Sequence, residues 1–153
     1  MLKKGNVIDL ENDIYKVKIG KANLIFAGVD DPVTQKAEVD KVIKKIPKNN
    51  TAILLSHEPD YADTVDVHKL FSLQLSGHSH GGQLILPILG SIIQGRGFKK
   101  YPLGAYHLEG MALYTNPGLG THTFRLRYNC KPEITVFTLF PTKKFSSTRL
   151  EIK

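Results

Sequence analysis

Phe71-Ser72-Leu73-Gln74-Leu75-Ser76-Gly77-His78-Ser79-His80-Gly81-Gly82-Gln83 is the stretch on which the reading of this chain turns. Its first six residues alternate apolar and polar, the period-two pattern of a strand with one buried face. That strand runs into two histidines flanked by three glycines. Glycine takes positive φ without a Cβ penalty, so the backbone can turn tightly and bring both imidazoles to one spot. Upstream, Thr51-Ala52-Ile53-Leu54-Leu55-Ser56 is an apolar run of buried-strand length that ends at His57-Glu58-Pro59-Asp60. If the two strands are parallel neighbours, His57, His78 and His80 share one carboxyl edge, where open α/β sheets place their ligand sites.

Neutral imidazole is the commonest metal ligand, and a His-x-His pair with a distant third histidine suits zinc, manganese or iron. The competing reading is that all three are plain polar loop residues. Their strand contexts and the Gly81-Gly82 pair favour a metal.

Working outward, Ile14 to Ile19 alternates, Gly20-Lys21 turns, and Asn23 to Val29 returns as a more apolar strand, which predicts a hairpin. Asn6 to Leu10 is a further strand candidate. Asp31 as N-cap with Pro32 at the first helical position predicts a helix from Val33 to Ile46, apolar at Val39, Val42, Ile43 and Ile46. Pro47 ends it. The resulting β-α-β order makes the 24–29 and 51–56 strands parallel. A short helix over Tyr61 to Leu70 then leads to the 71–76 strand.

Downstream, Leu84 to Ile93 is apolar and interrupted by Pro87, suited to a wall beside the site or to an association surface. Gln94 to Tyr101 is glycine-rich and basic, as expected of a loop that meets an anion or simply of a solvated one. Ala105–Glu109, Met111–Thr115, Thr123–Tyr128 and Glu133–Leu139 read as antiparallel strands, with a possible last strand at Thr148–Ile152. His68 reads as a surface residue, and His107 and His122 as structural or surface residues.

The length of 153 residues suits a single domain over 1–153, and 41% hydrophobic with 23% charged residues is a globular rather than a disordered composition. The single cysteine, Cys130, excludes an internal disulfide. The net charge of +7 is spread in pairs such as Lys44-Lys45 and Lys99-Lys100, and only four of the 21 basic residues are arginine. This is a solvated basic surface, with nucleic acid not expected as a specific ligand. No apolar run approaches the roughly 20 residues of a membrane span, and no apolar segment follows Lys3-Lys4, so no signal peptide is read.

Leu55-Ser56-His57-Glu58-Pro59-Asp60, Leu75-Ser76-Gly77-His78-Ser79-His80-Gly81-Gly82-Gln83, Tyr114-Thr115-Asn116-Pro117-Gly118-Leu119-Gly120 and Pro132-Glu133-Ile134-Thr135 together resemble the calcineurin-like metallophosphoesterases, in particular their bacterial branch with Gly-His-x-His-Gly-Gly-Gln. The resemblance runs from about Gly5 to Leu139. It implies an α/β fold, the second half of a four-layer α-β-β-α sandwich with a mixed sheet and flanking helices. It also implies two divalent transition metals (Mn, Fe or Zn), His57 and His78 on one and His80 on the other, and hydroxide attack on the phosphorus of a phosphoester. Gly81, Gly82 and Gln83 are the expected substrate-side residues.

The family's Asp-x-His, Gly-Asp and Gly-Asn-His segments precede the region matched here, and nothing ahead of His57 corresponds to them. The chain alone is therefore expected to hold one metal or none. Three readings stay open: the two-metal phosphatase or phosphodiesterase, a single-zinc hydrolase on three histidines, and a non-catalytic half-domain. The half-domain would be completed by a homodimer partner or by the missing N-terminal half. Localisation stays open: the chain as written reads as cytoplasmic, and any targeting or membrane anchoring would lie only in the absent N-terminal part.

Overall fold

The alternation in Asp13–Ile19 (β1) and Ala22–Gly28 (β2) folds as an antiparallel hairpin turned at Gly20, where φ is +60°. The computed structural model describes residues 5, 7–20, 22–48, 50, 52–93, 95–122 and 125–140. Helix α1 spans Val39–Lys45, and Ala52–Leu55 (β3) returns parallel to β2. A 3-10 turn at Pro59–Tyr61 and the short helix α2 (Ala62–Asp66) cross over to Phe71–Ser76 (β4), parallel to β3. Ile85–Leu86 (β5) and Gly90–Ser91 (β6) form a separate two-stranded ribbon. Gly104–His107 (β7) pairs antiparallel with Ala112–Thr115 (β8), and β8 lies parallel to β4. The main sheet runs β1-β2-β3-β4-β8-β7, with the four inner strands parallel.

Helix α1 is shorter than the predicted 33–46. Asp31 does cap, accepting the Thr34 N–H at 3.0 Å, but it closes a single turn in which Lys36 N–H meets the Asp31 carbonyl and Gln35 takes a φ of +62°. The buried Asn12 ties this turn to the true helix start. Its side-chain oxygen accepts from Asp30 and Glu38 N–H at 3.1 and 2.9 Å, and its amide donates to the Lys36 carbonyl at 2.9 Å. The Glu38 N–H is thus satisfied from outside, and the helix begins only beyond it.

The predicted strand over 6–10 does not form in Val7–Leu10. Leu10 instead crosses the end of β2 so closely that a Cβ on Gly28 would stand 2.6 Å from the Leu10 Cβ. Glu133–Leu139 keeps its predicted alternation without joining a ladder. Glu133, Thr135 and Phe137 turn inward while Ile134 and Val136 remain 78% and 83% exposed. The segment lies over the sheet rather than at its edge, and its Glu133 N–H bonds the Gly118 carbonyl at 3.3 Å. Arg125–Tyr128 is likewise irregular, touching the ribbon through one bridge, Leu84 to Tyr128. The expected Thr148–Ile152 strand, Asn6, Thr51, Gln94 and the Thr123-Phe124 start of the 123–128 strand lie outside the described residues.

The two sheet faces are covered unequally. On one, Ile25, Ala27, Ala52, Leu54, Phe71 and Leu113 pack against Val39 and Val42 of α1 and Ala62 and Val65 of α2. On the other, Ile53, Leu73 and Ala112 are buried, while Leu24, Phe26, Leu55 and Leu75 remain half-buried with Phe137 laid across them. Helices therefore cover one face and an extended segment the other.

Leu54 is fully buried between β2 and β4, so Leu54→Ala should cost about 2–5 kcal/mol, against less than about 0.5 kcal/mol for the exposed Ile134→Ala. Urea denaturation followed by circular dichroism reads both. Equal effects of the two substitutions would contradict this assignment of the faces.

Candidate functional site

Parallel register sets the site. Gly28 stands opposite Leu55, and Leu55 opposite Leu75, so β2, β3 and β4 end level with one another. The β3–β4 ladder then continues past the strands, through Ser56 N–H to the Leu75 carbonyl at 3.2 Å and Gly77 N–H to the His57 carbonyl at 3.1 Å. That last bond brings His57 beside His78.

The turn carrying His57 is tied down from below. Gln74, fully buried in β4, donates its amide toward the Glu58 and Pro59 carbonyls at 3.4 and 3.3 Å and to Ser76 Oγ at 3.0 Å, while Ser56 Oγ donates to the Glu58 carbonyl at 3.2 Å. Asp60 holds the other side. Its carboxylate accepts the backbone N–H groups of Lys99, Lys100 and Tyr101 at 2.7, 3.0 and 3.1 Å, and its own N–H meets the Gly97 carbonyl at 2.8 Å. The basic 95–101 loop is thereby fastened against the histidines, with the Phe98 ring edge-on to His78 at 5.1 Å.

His78 Nε2 lies 2.9 Å from the Arg96 carbonyl. A carbonyl only accepts, so Nε2 carries a proton, and in the neutral ring Nδ1 then presents its lone pair. That Nδ1 stands 3.1 Å from His57 Nε2. Two imidazole nitrogens at the usual 2.0–2.1 Å from one cation lie about 2.9 Å apart at a right angle and about 3.4 Å apart at the tetrahedral angle. The observed separation falls between, so the pair fits a shared cation, and the Arg96 carbonyl supplies the orienting bond that metal-bound histidines need. Burial first, then the adjacent His78, depress the His57 pKa, which keeps its ring neutral. Burial, and then the charge of Asp31, push the neighbouring Glu58 carboxyl up.

His80 faces elsewhere. Its ring is 5.9 Å from that of His122, and its Nδ1 is buried with no hydrogen-bond partner among the described residues. The three predicted histidines thus form a contacting pair and a separate third. Among the described residues no three His, Cys, Asp or Glu side chains are gathered closely enough to hold one ion. The donor set fits a cation on the His57–His78 pair with open positions, and an orphaned imidazole nitrogen beside it.

The loop itself is tightly wound: His78, His80, Gly81, Gly82 and Gln83 all have positive φ. A Cβ on Gly81 would fall 2.6 Å from Cys130 Sγ, and one on Gly82 2.4 Å from Ser91 Oγ, so neither position admits a side chain. Gln83 is buried, giving its amide to the Leu126 carbonyl at 2.9 Å and accepting the His122 N–H at 2.9 Å. The sequence alone reads His122 as a structural or surface residue and attaches no role to Asp60, Gln74 or Arg127. The bonds from Asp60 to Lys99 and from Arg127 to His80 lie across 39 and 47 positions of chain, beyond any local pattern.

No family model matches the chain, and no solved structure matches it. Among curated proteins it is similar to the uncharacterized metallophosphoesterase YkuE of Bacillus subtilis, 40% identical over 116 residues that cover 76% of this chain and 40% of that protein. It is 34% identical over 91 residues to the phosphodiesterase YaeI of Escherichia coli, covering 60% of this chain and 33% of YaeI. It is also 25% identical over 142 residues to the uncharacterized metallophosphoesterase YkoQ of Bacillus subtilis, covering 88% of this chain and 50% of YkoQ. The chain spans half or less of the length of these relatives. Among the described residues, no helix is long and apolar enough to cross a membrane.

A depressed His57 pKa has a defined sign. Below about pH 6.5 the unfolded chain takes up a proton that folded His57 resists, so stability is full above that pH and falls as the pH drops through it. Denaturation midpoints at pH 7.5 and 5.5 should therefore differ less in His57→Asn than in the unsubstituted chain. An identical difference in both would show that His57 is not held neutral.

Proposed function

This chain belongs to the calcineurin-like metallophosphoesterase family, and we propose that its carboxyl-edge histidines are the metal-binding part of a phosphoester-hydrolase site. The observation that carries the proposal is the 3.1 Å approach of His57 Nε2 to His78 Nδ1, with the proton of His78 committed to the Arg96 carbonyl. His57 and His78 would hold one divalent cation; His80, through its orphaned Nδ1, would contribute to a second. When bound, divalent cations supply a nucleophilic water at neutral pH and neutralise charge on the phosphoryl oxygens. The chain's own residues do the positioning. Arg96 fixes the His78 tautomer, Asp60 fastens the loop that presents Arg96, and Gln74 holds the His57 turn. Gly81, Gly82 and Gln83, all buried, form the packed turn that supports the substrate side, its glycines seated against Cys130 and Ser91 where no side chain fits.

The finer architecture belongs to the same proposal. Residues 1–153 form one domain and the sheet is the second half of the family's four-layer sandwich, completed by further sequence of the kind that makes up the rest of its relatives' length. The native metal is Mn, Fe or Zn.

The test is elemental analysis after zinc loading and desalting. The unsubstituted chain is expected to retain zinc and His78→Ala to lose the equivalent held with His57; retention of the full amount in His78→Ala would overturn the ligand assignment.

A second reading, a self-associating half-domain without catalysis, is favoured by one observation. Ile134, Val136 and Phe140 on the extended segment and Ile88, Leu89 and Ile92 on the ribbon are all more than half exposed. Exposed apolar surface on this scale is commonly an association surface, and a two-fold dimer is the simplest way to cover it. Light scattering at micromolar concentration should return twice the 17.1 kDa chain mass. A monomer would remove this reading.

A further inference from the structure

The His80 loop has a cost that the proposed ligands do not explain. Non-glycine residues in the left-handed region are strained by roughly 1–2 kcal/mol each, and both His80 (φ +49°) and Gln83 (φ +47°) are among them. One side chain gathers the carbonyls around this loop. Arg127 Nη1 donates to the His80 carbonyl at 3.2 Å and toward Cys130 Sγ at 3.5 Å. Its Nη2 donates to the Pro117 and Gly118 carbonyls at 2.7 and 3.2 Å and also to the Gly120 carbonyl, which Nε reaches at 2.9 Å.

The His80 carbonyl is itself a hub, accepting further from Gln83 N–H at 3.0 Å and from Cys130 Sγ at 3.3 Å. Arg127 thus binds the His80 turn to the Pro117–Gly120 loop, whose continuation carries His122. Four carbonyls in different directions match the planar five-donor fork of a guanidinium; an ammonium on a flexible stem cannot reach them together.

We propose that Arg127 is the positioning residue for the His80 side of the site, holding the His80 imidazole where its buried Nδ1 can meet a divalent cation. This rests on the reading of His80 as a ligand. The inference has two separable parts: the guanidinium fixes the loop, and the fixed loop sets cation affinity. Partners that orient a metal-bound histidine through its ring typically contribute about 10–100-fold to affinity, and Arg127, acting on the His80 backbone, is expected to act on the same scale.

The experiment compares the unsubstituted chain with Arg127→Lys, and with Arg127→Gln as a second variant should the first fail to fold, by two readouts. Amide hydrogen exchange of residues 79–83 reports the loop without any metal; visible absorbance during Co2+ titration reports the ligands. The expected result is faster exchange at Gly82 and Gln83 in the variants, with the weaker Co2+ equivalent loosened at least tenfold and the His57–His78 equivalent unchanged. Unchanged exchange in a folded variant would overturn the role of Arg127. Faster exchange with both Co2+ affinities intact would overturn the link from clamp to cation. An unsubstituted chain that binds no second Co2+ equivalent would instead sink the reading of His80 as a ligand, leaving the exchange result to decide the clamp.

Discussion

The site depends on the β3–β4 ladder and the hydrogen bond by which it outlasts the two strands, Gly77 N–H to the His57 carbonyl at 3.1 Å. Parallel strands that end level carry their following residues to one edge, and here each is followed by a histidine within three positions. One more rung puts the two imidazoles in contact. Everything else around them acts on that geometry: Gln74 beneath the His57 turn, Asp60 fastening the 95–101 loop, and the Arg96 carbonyl selecting the tautomer of His78.

The strands that decide this edge were legible because their patterns are local. Phe71–Ser76 alternates and Ala52–Leu55 is continuously apolar, and each forms within a residue of where its pattern lies. The β-α-β order then fixed the parallel direction by chirality. Where a distant residue intervenes, the local pattern failed. Asp31-Pro32 is a sound helix start in isolation, yet Asn12, on the far side of β1 and β2, captures Glu38 N–H and moves the start to Val39. The 133–139 alternation likewise describes an extended chain correctly, and it cannot say whether a strand will pair along it.

The candidate site divides in the same way. His57, His78 and His80 announce themselves by residue type beside glycine, whereas Arg127 looks like one basic residue among many until the fold brings it to His80, Pro117, Gly118 and Gly120. A loop wound through five positive-φ residues is poorly determined by its own sequence. Its conformation comes from outside it, from the guanidinium, from Cys130 and Pro117 against Gly81, and from Ser91 against Gly82. Residues of this kind carry no motif, because their chemistry is set by where the chain returns.

The central claim is that His57 and His78 share one cation. The most direct test is an anomalous-difference map from a zinc-soaked crystal of this chain, recorded at the metal's absorption edge. The account predicts a peak between His57 Nε2 and His78 Nδ1, about 2.0–2.1 Å from each. A map with no peak there, or with zinc bound only at other histidines, would contradict it.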